Sequence, residues 1–145
     1  MGRSVFGAAD SRTKTILWLN LFKFNHDLQD GGVLPMHCSY HKDAALALQG
    51  DMFQKEVEMT KPNVMIFLTG PYYDEIIKQF FPQARFETLL DTHSEREAAV
   101  VAHPCLPALS FRTYHPGYMS RRRRRMAPIL PEILSRIRRE CPSSD

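Results

Sequence analysis

Short apolar segments followed by turn-forming residues constrain the fold of this chain more than any other feature. They occupy residues 15–24, 64–68 and 108–114. Such segments are too short for confident helices, and their β-branched and aromatic residues favour buried strands. Between the first two segments, Gly31-Gly32 and Pro35 indicate a loop over residues 25–42. We therefore predict three buried strands.

Periodic apolar residues between these strands predict helices. Asp43 suits the N-cap of a helix that runs to about Met59, although Gly50 weakens it by about 1 kcal/mol relative to alanine. Pro71 suits the first turn of a second helix, which Pro82 closes. The residues predicted to face inward are Ala45, Leu48, Met52 and Val57 in the first helix, Tyr73, Ile76, Ile77 and Phe80 in the second, and Ile129, Ile133, Leu134 and Ile137 in a final helix.

The alternation of strands and helices decides the predicted fold class. Strands that are apolar on both faces are typical of sheets covered by helices on both sides. We therefore predict an α/β fold with three α/β/α layers and a mostly parallel sheet. A chain of 145 residues is long enough for one such core, so residues 1–145 are expected to form a single domain.

Positive charge is concentrated near one end of the sequence. Residues 121–140 contain eight arginines and two glutamates, a balance of +6, whereas the other residues carry 11 basic and 14 acidic groups, a balance of −3. Five arginines are consecutive and are called the arginine run below: Arg121, Arg122, Arg123, Arg124 and Arg125. This asymmetry indicates an anionic partner. The alternative is a solvated basic loop.

Several protein classes lack their signatures in this sequence. No apolar stretch approaches the roughly 18 residues of a membrane-spanning helix, and the N-terminus has no apolar signal region. Cys38, Cys105 and Cys141 are far apart, which predicts neither a disulfide framework nor a CxxC metal site. His37, Cys38 and His41 cluster, but no fourth zinc ligand lies near them in sequence. We expect a soluble monomer, located in the cytoplasm or else in the nucleoid or nucleus, that uses no membrane, metal or cofactor.

Polar residues at the ends of the predicted strands are the candidate site. Ligands of open α/β sheets bind where strands end and loops begin. Asn20 lies near the end of the first predicted strand, Gly70 and Tyr72 follow the second, and His115 follows the third. Neither a P-loop nor a GxGxxG motif is present, so no nucleotide-binding motif accompanies these ends.

Three of these segments resemble motifs of the uracil-DNA glycosylase-like superfamily. TILWLN, which ends at Asn20, is similar to its apolar strand that ends in asparagine. KPNVMIFLTG, which ends at Gly70, is similar to its Lys-Pro strand and glycine turn. TYHPGYMSR, residues 113–121, stands in the place of its strand that ends in His-Pro and a DNA-inserting loop. The resemblance covers roughly residues 15–139.

The resemblance implies a DNA partner and a role for each site residue. Asn20 would hydrogen-bond the edge of an extruded base, and Gly70 and Tyr72 would belong to the same substrate-binding set. His115 would stabilise charge that develops on the base as the glycosidic bond breaks. Tyr118 or Met119 would fill the gap left in the base stack, and the arginine run would contact phosphates.

The superfamily's first motif, which positions the attacking water, has no counterpart before Asn20. We therefore expect a chain truncated at its N-terminus or a divergent branch, with Asp27 and Asp74 as candidates for positioning water. The expected function is DNA binding, with N-glycosidic hydrolysis left open.

Other functions remain open at the sequence level. One is a non-catalytic nucleic-acid-binding or interaction module. Another is a hydrolase or nucleotide-binding domain that holds phosphate at the Gly70 turn. A Cys105–His103 hydrolase would lack an orienting carboxylate nearby in sequence.

Overall fold

The computed structural model describes residues 16–22 and 39–140. The chain divides into two compact units, Met1–Gln49 and Gly50–Asp145. The helices and strands, in chain order, are α1 (Ser39–Gln49), α2 (Met52–Thr60), β1 (Val64–Phe67), α3 (Asp74–Phe80), β2 (Arg85–Thr88), β3 (Ala98–Ala102), β4 (Leu109–Thr113), α4 (Pro116–Arg121), α5 (Arg123–Met126) and α6 (Ile129–Glu140). A 3-10 turn, Pro71–Tyr73, precedes α3. No helix in the described ranges has the length and apolar character needed to span a membrane.

The first unit departs from the predicted strand at residues 15–24. Residues 16–22 form no strand, and the side chains of Ile16, Leu17 and Trp18 are exposed. The prediction is wrong there because apolar composition produces a strand only where another strand pairs with it. The amide Nε2 of Gln49 donates a 2.8 Å hydrogen bond to the carbonyl of Leu21. Most of the predicted loop, including Asp27, His37 and Cys38, lies outside the described residues.

The helix predicted from Asp43 to Met59 is two helices, and the first begins earlier, at Ser39. Gly50 lies between them with a φ of 54°, a left-handed conformation that ends a helix. Helix α2 buries Phe53 and Val57. Leu48 and Met52, which were predicted to face inward, are exposed.

The second unit contains a four-stranded sheet in the order β1-β4-β3-β2. β1 is parallel to β4, whereas β3 is antiparallel to both β4 and β2. The predicted strands at 64–68 and 108–114 are confirmed as β1 and β4. The mostly parallel sheet is wrong for these strands, because β2 and β3 form an antiparallel pair that the sequence patterns did not predict. The α/β class is confirmed, and the three-layer arrangement stays a prediction.

The core of the second unit surrounds β4, whose five residues are all buried. Leu109 and Phe111 of β4 belong to one apolar cluster with Ile129 and Ile133 of α6. The predicted inward residues Ile129 and Ile133 are therefore confirmed. Leu134 is exposed, and Ile137 is half-buried against the same cluster.

A second group of apolar side chains joins α2, β1 and α3. The ring of Phe53 lies 6.4 Å from that of Phe67, 5.5 Å from that of Phe80 and 6.0 Å from that of Phe81. Ile76 and Ile77 are buried beside Phe80 on α3, as predicted, and Tyr73 is half-buried.

Candidate nucleic-acid interface

The carboxyl ends of β1 and β4 meet at one edge of the sheet because these strands are parallel. The backbone amide of Gly70, after β1, donates a 2.9 Å hydrogen bond to the carbonyl of Thr113 at the end of β4. Two of the three predicted strand ends, at Gly70 and His115, are therefore neighbours.

Gly70 is at a position that only glycine occupies without strain. Its φ is 63° and its ψ is −178°, a region that residues with a Cβ avoid. A Cβ atom there would lie 2.8 Å from Cδ1 of Tyr114. Because its amide is already bonded to Thr113, and because the 3-10 turn and α3 are short, Gly70 accommodates an aromatic ring rather than an anion. Gly70 therefore has a packing role, and the predicted ligand contact there stays a prediction.

Three tyrosines gather around this turn and are called the tyrosine cluster: Tyr72, Tyr114 and Tyr118. The rings of Tyr114 and Tyr118 are stacked, with centroids 4.2 Å apart and planes at 22°. Tyr72 is 75% exposed. Burial raises the pKa of the Tyr114 phenol above its ordinary value of 10.0, and the phenols of Tyr118 and Tyr72 act in the same direction. Tyr114 therefore stays neutral at physiological pH.

His115 caps α4 and is exposed. Its Nδ1 accepts a 3.1 Å hydrogen bond from the amide of Gly117. The neutral ring therefore carries its proton on Nε2, the atom that is left to meet a ligand. His115 therefore has a structural role at the start of α4, whereas its catalytic role stays a prediction.

Neither residue proposed to enter the base stack projects from the surface. Met119 is buried in the apolar cluster, so the Met119 alternative is wrong. Tyr118 is half-buried and packs against that cluster while stacking on Tyr114. Insertion of Tyr118 into DNA would require it to leave this stack.

The arginine run is helical, not an irregular loop. Arg121 ends α4, Arg122 links the two helices, and Arg123 begins α5. Met119 and Met126 are buried at either side of the run and anchor it to the core. All five arginine side chains are therefore held at the surface.

The last arginine of the run differs from the first four. Arg125 donates to both carboxylate oxygens of Glu97, at 2.6 and 2.7 Å. Arg121, Arg122, Arg123 and Arg124, called the arginine tetrad below, form no ion pair with any residue in the described part of the chain. The tetrad is close to the tyrosine cluster, because Tyr118 and Arg121 are three residues apart on α4 and so share a face.

A buried ion pair supports the tyrosine cluster from within the sheet. Arg112 of β4 is fully buried and donates to both carboxylate oxygens of Asp74, at 2.9 and 3.0 Å. Burial raises the pKa of the Asp74 carboxyl above its ordinary value of 3.8, and Arg112 acts against this shift. Asp74 is therefore paired with Arg112, and its candidate role in positioning water stays a prediction.

Asn20 is the site residue on the first of the predicted strands. It belongs to the first unit, is exposed and lies in a segment without a strand. The strand predicted over these residues is therefore wrong, whereas the base-reading role of Asn20 stays a prediction.

The Cys105–His103 pair has no geometry for nucleophilic catalysis. Nδ1 of His103 accepts a hydrogen bond from the backbone amide of Cys105 at 3.1 Å, and Nε2 lies 2.9 Å from the carbonyl of Pro82. Both ring nitrogens are therefore occupied by backbone groups. Among the described residues, no three His, Cys, Asp or Glu side chains are placed to hold a metal ion.

His93 and Glu97 are the residues at this surface that sequence reasoning missed. Both lie in the connection between β2 and β3, two strands that were not predicted. Their sequence signal was weak, because each acts on Arg125 about 30 residues away.

No protein-family model, curated protein or solved structure matches this chain.

Proposed function

We propose that this protein binds DNA through a surface made of the arginine tetrad and the tyrosine cluster. The observation that carries this proposal is the exposure of four consecutive arginines, without ion-pair partners among the described residues, next to stacked tyrosines. Guanidinium groups bind phosphate in a two-pronged geometry that lysine lacks. Such contacts supply affinity and little sequence preference.

Aromatic rings add a second type of contact. Tyr72 presents an exposed ring beside Tyr114, and an unpaired base stacks on such a ring with a gain of about 1–3 kcal/mol. Arg96 also lies near Tyr114, where its charge lowers the pKa of the phenol. Interleaved aromatic and basic groups of this kind are typical of surfaces that bind single-stranded nucleic acid.

The experiment is a titration of single-stranded and duplex DNA by fluorescence anisotropy, from about 50 to 200 mM salt. Wild-type affinity should fall steeply with salt. Replacement of the tetrad by serine should weaken binding about 100-fold or more at low salt, since each lost phosphate contact removes counterion release. The single variant Arg123→Ser should also bind DNA more weakly, and Lys55→Ser, which removes one charge from α2, is its control. Equal binding by the tetrad variant and the wild type would contradict the proposal.

Tyr72 is tested with two substitutions. Tyr72→Ala should weaken single-stranded binding by about 5- to 100-fold, whereas Tyr72→Phe, which keeps the ring, should bind like the wild type. If the two variants bind alike, the ring makes no stacking contact.

Base excision is the second candidate function. The observation that favours it is the exposed His115 at the end of β4, with Nε2 directed away from its cap contact. The test measures uracil release from a uracil-containing single strand. Release that is lost in His115→Ala would support excision. If the wild-type protein releases no uracil, excision is contradicted and DNA binding is the remaining proposed function.

A further inference from the structure

The connection between β2 and β3 holds the last arginine of the run by its side chain. Glu97 Oε1 accepts from Arg125 Nε at 2.6 Å, and Oε2 accepts from Nη2 at 2.7 Å. Oε2 also accepts from the backbone amide of Ser94 at 3.0 Å. The hydrogen bond from Ser94 therefore orients the Glu97 carboxylate independently of Arg125.

The same connection holds the backbone of Arg125. His93 is buried, and its Nε2 donates to the carbonyl oxygen of Arg125 at 2.6 Å. Its Nδ1 lies 2.9 Å from the hydroxyl of Thr92, which fixes the orientation of the ring. Arg125 is thus held at its guanidinium by Glu97 and at its backbone carbonyl by His93, and both residues belong to the connection between β2 and β3.

We propose that Glu97 withholds Arg125 from the DNA interface, so that Arg125 anchors α5 while the arginine tetrad contacts phosphate. This inference rests on the proposed function. A guanidinium already neutralised by a carboxylate releases no counterion when phosphate approaches, and a phosphate would have to displace Glu97 to bind it. Glu97 would therefore determine how many arginines of the run contact DNA phosphates.

The test compares how the affinity for duplex DNA depends on salt in four variants. Glu97→Gln keeps the size of the side chain and removes its charge, so Arg125 becomes available. The slope of log K against log salt should become steeper by about 0.9, the value for one added phosphate contact. Arg125→Gln alone, and the double variant with Glu97→Gln, should keep the wild-type slope.

Glu95→Gln is the matched control. Glu95 is exposed in the same connection and forms no ion pair with the described residues, so its loss changes net charge equally without releasing an arginine. A steeper slope in Glu95→Gln as well would mean that only net charge matters and would overturn the inference. Thermal unfolding of each variant verifies that the compared proteins are folded.

The outcomes separate this inference from the proposed function. An unchanged slope in Glu97→Gln, with binding still lost in the tetrad variant, would overturn the role of Glu97 alone. A shallower slope in Arg125→Gln would also overturn it, because Arg125 would then contact phosphate in the wild type. A wild-type protein that does not bind DNA would overturn both.

Discussion

Arg112 and Asp74, which are 38 residues apart in sequence, form a two-pronged ion pair inside the second unit. A third donor of Arg112, Nη1, bonds to the carbonyl of Arg96 at 2.9 Å, and its guanidinium lies 5.5 Å from the ring centre of Phe86. Asp74 is the first residue of α3, directly after the turn that carries Tyr72. The pair therefore joins β4 to the turn at the candidate interface.

Removal of Asp74 should destabilise the protein strongly. Asp74→Ala leaves the fully buried Arg112 without its counter-charge, and such losses cost about 3–5 kcal/mol. The measurement is the free energy of unfolding in denaturant. Glu75→Ala is the control, because Glu75 is 81% exposed and its ion pair with Lys78 is worth less than about 1 kcal/mol. Equal losses in the two variants would show that Arg112 does not depend on Asp74.

Glu97 should make stability depend on acid pH. Its ion pair with Arg125 lowers the pKa of Glu97 from 4.5 to about 2. A carboxyl with a lowered pKa contributes stability above its unfolded value, and this contribution is lost as the pH falls from 4.5 towards 2. Thermal unfolding between these pH values should show a smaller loss in Glu97→Gln than in the wild type.

Asp74 does not contribute to this loss of stability at acid pH. Its raised pKa has the opposite sign, so its contribution declines as the pH rises above 3.8. If Glu97→Gln and the wild type lose stability in parallel between pH 4.5 and 2, the ion pair with Arg125 is not the source of the acid sensitivity.

Gly70 should tolerate no side chain. Gly70→Ala imposes a strained backbone conformation and places Cβ 2.8 Å from the ring of Tyr114, so we expect a loss of about 2–4 kcal/mol. Gly50→Ala is the matched control, because Gly50 also has a positive φ but nothing within 4 Å of the added Cβ. Its cost should be about 1 kcal/mol. Equal melting temperatures for the two variants would argue against the contact with Tyr114.

His93 should matter more for stability than His103. His93→Ala removes the donor to the carbonyl of Arg125 and leaves a cavity in a buried position, with an expected cost of about 1–3 kcal/mol. His103→Ala breaks solvent-exposed hydrogen bonds and a ring contact with Phe81 5.4 Å away, without leaving a buried polar group unpaired, and should cost about 1 kcal/mol. Chemical denaturation of both variants measures this difference, and a reversed order would contradict it.

Sequence patterns predicted the elements whose signals are local. β1, α3, β4 and α6 follow from short apolar runs, from proline and glycine at the turn, and from regular apolar spacing. The arginine run and His115 were also apparent, because charge and residue type can be read from the sequence alone.

The missed strands, β2 and β3, have misleading local sequences. β2 is RFET, mostly exposed at an edge of the sheet, and β3 is AAVVA, in which alanine disfavours a strand. They are strands because they pair with each other and with β4. The opposite error occurred at residues 16–22, where apolar residues without a partner strand form none.

The sequence by itself determined which residues carry charge, which turns need glycine or proline, and which short segments can become strands or helices. Only the tertiary structure decided that Arg125 is neutralised while the tetrad is not, and that Asp74 serves Arg112. These pairings join residues 28 and 38 positions apart. They depend on strand order and direction, which arise from packing of the whole unit and leave no local pattern in the sequence.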